Sequence, residues 1–456
     1  MKVTFVNPNY EEPRVLKFLG LPSIPLGFSI VAGCVEKAGH EVTVIDAFGY
    51  KYSVAQTIAE LKKTKPEITA ISCVTCNVDL GIKIAQAART FSRVVIGGTH
   101  PSLMPESVID YADIVVYGEG EETFPDILSG KKLADIPGVM YKSDGKIMKT
   151  SPRPPIKDLD TLPFPARHLF PMHKYKQFGT MLLATMLTSR GCPHRCSYCT
   201  ISRLYPQWRG RSAENVTSEM EFLVKNYKVK GISIVDEDFL VESQRAYDIC
   251  DGIEKKNIKV WWGMQTRVDR IPEVDTLKRF NAAGCEFVLF GVESSRERTM
   301  KNLNRDIPNH KFIEAVKKCR EAGMRVAVSA LLGFPGENEE DILNTIKFVL
   351  ELGPEYVFYG VPTPFPGTDF YRYCRDNDLI KEKNLLKYTI MSPIIETGDI
   401  SLKQSRKLLN KAYRQFYFRP VYLSKRMVYE LRKLDKDTLK GFIRWSLGGF
   451  LDSRQW

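Results

Sequence analysis

At 456 residues, with 43% hydrophobic and 26% charged side chains, the chain has room for two or three globular domains. No apolar run reaches the length of a membrane span, no basic segment precedes an apolar signal core, and the ten cysteines do not form a disulfide framework for a chain this size. The formal charge of +12 is uneven, since Ser401 to Trp456 carries 14 Lys/Arg against 4 Asp/Glu and the rest is nearly neutral.

Residues 1–150 alternate short apolar runs with helical spacing. Val3–Val6, Glu41–Ile45, Ile68–Ser72, Arg93–Ile96 and Asp113–Tyr117 read as buried strands. Leu26–Gly39, Val54–Lys63 and Leu80–Phe91 read as helices, with stops at Gly39 and the Pro66 turn. The pattern predicts a flavodoxin-like, doubly wound parallel sheet with ligands at the carboxyl ends of its strands. Those ends read Asn7-Pro-Asn9, Asp46-Ala-Phe48, Cys73-Val-Thr75-Cys-Asn77, Gly97-Gly98-Thr-His100-Pro101 and Gly118-Glu119-Gly120-Glu-Glu122. Their glycines allow backbone to approach a flat or phosphate-bearing ligand. Cys73 and Cys76 lack partners for metal chemistry and read as small strand-end residues. Residues 151–178, with Asp158-Leu-Asp-Thr-Leu-Pro-Phe-Pro165, read as a linker.

Residues 179–380 contain six strand–helix units. The strands are Met181–Ser189, Gly231–Val235, Val260–Met264, Phe287–Val292, Arg325–Gly333 and Tyr356–Pro362. The helices are Glu214–Tyr227, Glu242–Lys255, Glu273–Ala283, Pro308–Ala322, Glu339–Leu352 and Asp369–Asn377. Right-handed crossovers of this kind build a partial parallel (β/α)6 barrel. The first strand leads into Gly191-Cys192-Pro-His-Arg-Cys196-Ser-Tyr198-Cys199. Three thiols are one short of a closed zinc site, whereas on a cubane iron–sulfur cluster three thiolates leave one iron open to a small molecule. A zinc loop with a remote fourth ligand is the plainer alternative. Other strand ends carry Asp236-Glu-Asp238-Phe, Gln265-Thr-Arg267, Glu293-Ser294-Ser and Gly333-Phe-Pro-Gly336-Glu337.

The triplet with Tyr198 resembles the signature of the radical S-adenosylmethionine (SAM) superfamily. The five strand ends of the first region, with Pro25-Leu-Gly-Phe28 and Gly118-Glu-Gly-Glu-Glu-Thr123, resemble the cobalamin-binding domain that precedes the radical module in one large subgroup. That resemblance implies a [4Fe-4S] cluster on Cys192, Cys196 and Cys199, SAM and cobalamin as cofactors, and an external electron donor of flavodoxin or ferredoxin type. It implies that Glu293 and Ser294 meet the amino-acid end of SAM, with Gln265, Arg267 and Asp238 nearby and Gly333 to Gly336 beside the nucleoside. Thr75, Gly97, Gly98, Gly118, Glu119 and Gly120 would border cobalamin. In the implied reaction an adenosyl radical takes a hydrogen from substrate and methylcobalamin returns a methyl group. The Asp-x-His-x-x-Gly motif that carries a cobalt-ligating histidine elsewhere is absent, and His100 reads as structural.

Residues 381–456 are expected to be helical and basic. Tyr413-Arg-Gln-Phe-Tyr-Phe-Arg-Pro-Val-Tyr422 and Phe442-Ile-Arg-Trp-Ser-Leu447 mix aromatics with arginines. Such a region suits peripheral contact with an anionic membrane or delivery of a lipid-like substrate, and a solvated helical cap is the plainer reading. The expected protein is a cytoplasmic methyltransferase acting on an unactivated carbon of a small-molecule or lipid-like substrate. A cobalamin-linked radical cyclase is the alternative. RNA modification ranks lower, because neither extra cluster cysteines nor a C-terminal RNA-binding barrel is visible, and no nucleic-acid partner is expected.

Overall fold

The computed structural model describes residues 1–10, 23–177, 181–420, 422 and 424. Runs such as Ile68–Ala70 and Val94–Ile96 are apolar or small on consecutive residues, so they need cover on both faces. They receive it in a seven-stranded sheet: β1 (Lys2–Asn7), β2 (Glu41–Asp46), β3 (Ile68–Ser72), β4 (Arg93–Gly97), β5 (Ile114–Val116), β6 (Val139–Ser143) and β7 (Lys146–Lys149), in the order 2-1-3-4-5-6-7. β1 to β5 are parallel and β6 and β7 antiparallel. Separate apolar clusters cover the two faces, one around Ile71, Ile84 and Ile96, the other around Phe5, Val95 and Phe124. Strand order reverses between β1 and β3, which opens a crevice at Asn7 and Cys73. The β6–β7 hairpin was not expected. Its turn, Asp144-Gly145, has φ of 48° and 73°, the left-handed pair that an Asp-Gly hairpin requires.

The second sheet contains β8 (Lys176–Gln177), β9 (Met181–Met186), β12 (Gly231–Ile234), β13 (Trp261–Gln265), β14 (Cys285–Glu293), β15 (Arg325–Leu331) and β16 (Tyr356–Gly360). Between β9 and β12 a separate antiparallel pair forms from β10 (Ser189–Arg190) and β11 (Arg209–Gly210). β9 and β12 to β16 are parallel, in the order 16-15-14-13-12-9, with β8 antiparallel outside β9, so the barrel has six parallel strands and its sheet stays open between β16 and β8. All six expected helices form, within about two residues of the expected ends. Their apolar faces enclose Trp262, Phe290, Phe312 and Val349.

Leu402–Tyr417 is helical, as expected of this region, and its aromatic face is turned to the barrel. Phe416 is fully buried, the Tyr413 hydroxyl donates to the Tyr359 carbonyl at 2.7 Å, and the Tyr417 hydroxyl donates to the Val357 carbonyl at 2.8 Å. These aromatics therefore pack on β16. The second aromatic–arginine run, Phe442–Leu447, lies outside the described residues. Among the described residues no helix is long and apolar enough to cross a membrane.

Candidate active site

The cysteine loop is held by main chain and by neighbouring strand ends. Gly191 has φ +85°, and a Cβ there would sit 2.3 Å from the Gln207 carbonyl oxygen and 2.7 Å from that of Tyr205, so only glycine fits. Upstream, Asp236 at the end of β12 accepts from the Thr188 amide and the Ser189 hydroxyl, both at 2.6 Å. Downstream, the Ser197 amide donates to Leu303 and the Ser197 carbonyl accepts from Phe370, both at 3.0 Å. All three thiols are free. Burial pushes Cys192 up to about 11 and also raises Cys199, and the three thiols are close enough to act electrostatically on one another. Three soft, mutually close donors on one preformed loop fit an iron–sulfur cluster. Among the described residues no group of His, Cys, Asp or Glu is arranged to hold a single metal ion.

Strand ends converge on this loop. The Tyr198 hydroxyl donates to Glu293, and its ring lies 5.9 Å from that of Phe334. Glu293 has φ +61° beside a register shift between Gly291 and Glu293. Burial raises its carboxyl, opposed by the nearby Arg305 guanidinium. Ser294 donates to Glu337, whose other oxygen accepts from the Gly333 amide at 3.2 Å and the Phe334 amide at 3.0 Å. Gly333 and Gly336 both have positive φ, 97° and 87°, which the tight turn beyond β15 requires. Asp238 is fully buried, accepts from Thr266 at 2.6 Å and lies 2.8 Å from Arg270 Nε. His194 of the cysteine loop approaches the same carboxylate at 3.8 Å, and burial together with Arg267 and Arg270 lowers its pKa. Gln265 is half-buried at the end of β13, whereas Arg267 is engaged by Asp269 at 3.0 and 2.7 Å.

The second group of expected residues lines the carboxyl edge of the first sheet. Gly98 has φ +109°, and a Cβ would meet the Cys73 carbonyl oxygen at 2.5 Å. A Cβ at Gly97 would meet Val116 and one at Gly120 would meet Val31 without overlap, and Gly118, φ +83°, has nothing within 4 Å of where its Cβ would stand. The Thr75 hydroxyl is 3.2 Å from His100 Nδ1, and His100 Nε2 is 3.1 Å from the Ser107 hydroxyl. Both ring nitrogens are thus occupied inside the loop, and burial lowers the His100 pKa to about 4. Glu119 does not face open space. Its carboxylate meets Arg190 at 3.2 Å, Arg209 at 2.7 Å and the Ile156 amide at 2.7 Å.

Family models match both halves: the radical SAM superfamily over residues 186–349 and the B12 binding domain over residues 15–128. An uncharacterized methyltransferase of Pyrococcus horikoshii, PH0819, is 32% identical over 97% of this chain and 98% of its own length. The chain belongs to the radical SAM superfamily. It is of the kind that carries a B12-binding domain. The anaerobic magnesium-protoporphyrin IX monomethyl ester cyclase of Rubrivivax gelatinosus is 26% identical over 97% of this chain and 82% of its own. Among solved structures, the cobalamin-dependent S-adenosylmethionine radical enzyme OxsB, with aqua-cobalamin and S-adenosylmethionine bound, superposes with a TM-score of 0.73. That match has 18% identity and covers 98% of this chain and 71% of the other.

Arg190, Arg305 and Glu337 also contact these candidate residues; of the three, the sequence marks only Glu337, as a strand-end acid without an assigned role. Glu337 had a visible signal, an acid closing a Gly-Phe-Pro-Gly turn. Arg190 directly precedes the cysteine loop, but nothing in its spacing reveals a partner across the B12-binding domain. Glu237, inside the strand-end run Asp236-Glu-Asp238, has no role assigned from sequence. Its Oε2 is buried without a hydrogen-bond partner, and burial raises its carboxyl to about 7.

Proposed function

We propose that this radical SAM protein is a cobalamin-dependent methyltransferase acting on an unactivated carbon of a small-molecule or lipid-like substrate. One observation supports the reading: Arg190, two residues before the first thiol, is ion-paired to Glu119 and Glu121 on the carboxyl edge of the B12-binding domain, which would bring the two expected cofactor edges together. Cys192, Cys196 and Cys199 would hold the cluster. Glu293 and Ser294 would meet the amino-acid end of SAM, with Gln265, Arg267 and Asp238 beside them and Gly333 to Gly336 along the nucleoside. Thr75, Gly97, Gly98, Gly118 and Gly120 would border the corrin. When bound, the cluster supplies the electron that cleaves the sulfonium of SAM, and cobalamin carries the methyl group. The chain's own part is positioning and exclusion of water. Glu293 is buried and reaches the cysteine loop through Tyr198, while Ser294 and Glu337 fix the Gly333–Gly336 turn, so acceptors stand ready at fixed places before a ligand arrives. His100, tied at both ring nitrogens to Thr75 and Ser107, would serve to hold the loop. An external flavodoxin- or ferredoxin-type protein would deliver electrons. Membrane contact through the basic C-terminal residues is part of the same proposal.

The likeness to the Rubrivivax cyclase favours a second reading, ring closure without methyl transfer, and product mass separates the two. The direct test is iron, sulfide and corrinoid per chain in protein purified without oxygen from cobalamin-supplied cells. The expected result is one four-iron cluster and one corrinoid. Replacing any one of Cys192, Cys196 or Cys199 by Ala is expected to abolish the cluster's absorbance and 5′-deoxyadenosine formation while leaving corrinoid in place. Cleavage persisting in such a variant would overturn the assignment, and a full cluster without corrinoid would remove methyl transfer.

A further inference from the structure

β10 and β11 pair Arg190 directly opposite Arg209. Like charges across an antiparallel pair repel, and each of these side chains is no more than 10% exposed, so water cannot screen them. What neutralises them comes from the other domain. Glu119 Oε1 takes Arg190 at 3.2 Å and Arg209 at 2.7 Å, Glu119 Oε2 takes Arg209 at 3.0 Å, and Glu121 takes Arg190 at 2.5 Å. Arg209 also donates to the Ile156 carbonyl at 2.5 Å, and the Ile156 amide donates to Glu119 at 2.7 Å, which includes the linker in the same cluster. Two positive and two negative side chains balance only while the domains are docked.

A buried ion cluster of this kind adds little net stability over apolar packing, but it is demanding in geometry, and removing one partner strands a charge. Its location makes that geometry matter. Arg190 lies two residues before Cys192, and Glu119 lies between Gly118 and Gly120 on the B12-binding edge. We propose that Glu119 and Glu121 are positioning residues: they complete the β10–β11 arginine pair and so set the separation of the cluster-bearing loop from the cobalamin-binding edge. Glu119 is thereby assigned to the seam and not to a ligand. The proposal rests on the functional reading above, since it concerns the distance between two cofactors.

The test uses anaerobically reconstituted full-length protein, wild type beside Glu121→Gln, Arg190→Gln and Arg190→Lys. Iron and corrinoid are counted, and pulsed EPR measures the dipolar coupling between the reduced cluster and cob(II)alamin. Wild type is expected to give one narrow distance distribution. Glu121→Gln and Arg190→Gln should load both groups yet broaden that distribution about twofold or more, because a shift on the order of 1 Å suffices to misplace reacting partners. Arg190→Lys, which keeps the charge and loses the two-pronged fork, should fall between. Should Arg190→Gln fail to fold, Glu121→Gln keeps the test, since Glu119 still contacts both arginines. Fully loaded variants with the wild-type distribution overturn the clamp alone. Wild-type protein that binds no corrinoid overturns the functional reading, and the proposal with it.

Discussion

Replacing Gly191 by Ala tests whether the cysteine loop is built before any cluster arrives. The residue holds φ +85°, and an added Cβ would lie 2.3 Å from the Gln207 carbonyl oxygen, 2.7 Å from that of Tyr205 and 3.0 Å from the Gln207 carbonyl carbon. The left-handed backbone costs a non-glycine residue about 1–2 kcal/mol. Overlap with main chain adds about 1–3 kcal/mol, because carbonyls cannot rotate aside as a flexible side chain can. The expected loss is therefore about 2–5 kcal/mol, unless the loop moves and the thiols move with it. Gly130→Ala separates the two effects. It has φ +82° with nothing within 4 Å of its Cβ, so it should show the backbone cost alone. The assay is a urea midpoint for each variant, with iron and sulfide per chain after anaerobic reconstitution. Gly191→Ala should unfold earlier than Gly130→Ala and hold less cluster. Equal midpoints and full cluster loading in both would refute the idea that the main chain of Tyr205–Gln207 sets the loop.

Three other outcomes are expected. His100, lowered by burial to about 4 from an ordinary 6.5, is neutral when folded, so its contribution is complete above pH 6.5 and lost as pH falls through 4. That is about 3 kcal/mol, and His100→Asn should flatten the pH dependence of the apo-protein's urea midpoint across that window. Glu337→Gln replaces one acceptor oxygen by a donor facing either the Ser294 hydroxyl or the Gly333 and Phe334 amides, a loss of about 1.5–3 kcal/mol. Calorimetric SAM binding to the reconstituted protein should weaken about tenfold or more, and unchanged affinity would detach this turn from the nucleoside. Glu219→Ala strands Arg167, which is 1% exposed and paired to Glu219 at 2.8 Å, and should cost about 3–5 kcal/mol by denaturant titration.

Much of the architecture is legible because strands covered on both faces leave a plain signature. Ile68–Ser72 forms as read from its apolar run, and the expected Arg325–Gly333 forms over Arg325–Leu331, with polar residues following each strand's carboxyl end. The β6–β7 hairpin escaped because Lys146–Lys149 is exposed along its whole length, with no apolar run to betray it, although Asp144-Gly145 carried the turn signal. The helix Leu402–Tyr417 is expected, but its inward face is hard to read for the opposite reason. Its lysines and arginines dominate the composition, while the face that matters, Leu408, Ala412 and Phe416, is a stripe packed on the barrel. Pairings between distant segments were beyond reach. Glu119 is expected beside cobalamin from the resemblance carried by its loop, whereas only the fold brings Arg190 and Arg209 to it.

How one strand end serves two loops follows from the irregularity in β14. In a regular strand Glu293 and Ser294 would point to opposite faces, and only one could address the site. The register instead slips between Gly291 and Glu293, and Glu293 turns to φ +61°, a conformation that costs a non-glycine residue about 1–2 kcal/mol. The slip lets consecutive side chains reach different neighbours: Glu293 takes the Tyr198 hydroxyl of the cysteine loop, and Ser294 takes Glu337 of the turn after β15. Gly291 is part of the same device. A Cβ there would lie 2.5 Å from Glu293 Oε1 and 3.0 Å from Arg305 Nη2, so a larger residue would expel the carboxylate from its place. The strain at Glu293 is thus tied to an alignment that regular alternation forbids, in which one strand end orders both the loop that carries the thiols and the turn expected beside the nucleoside.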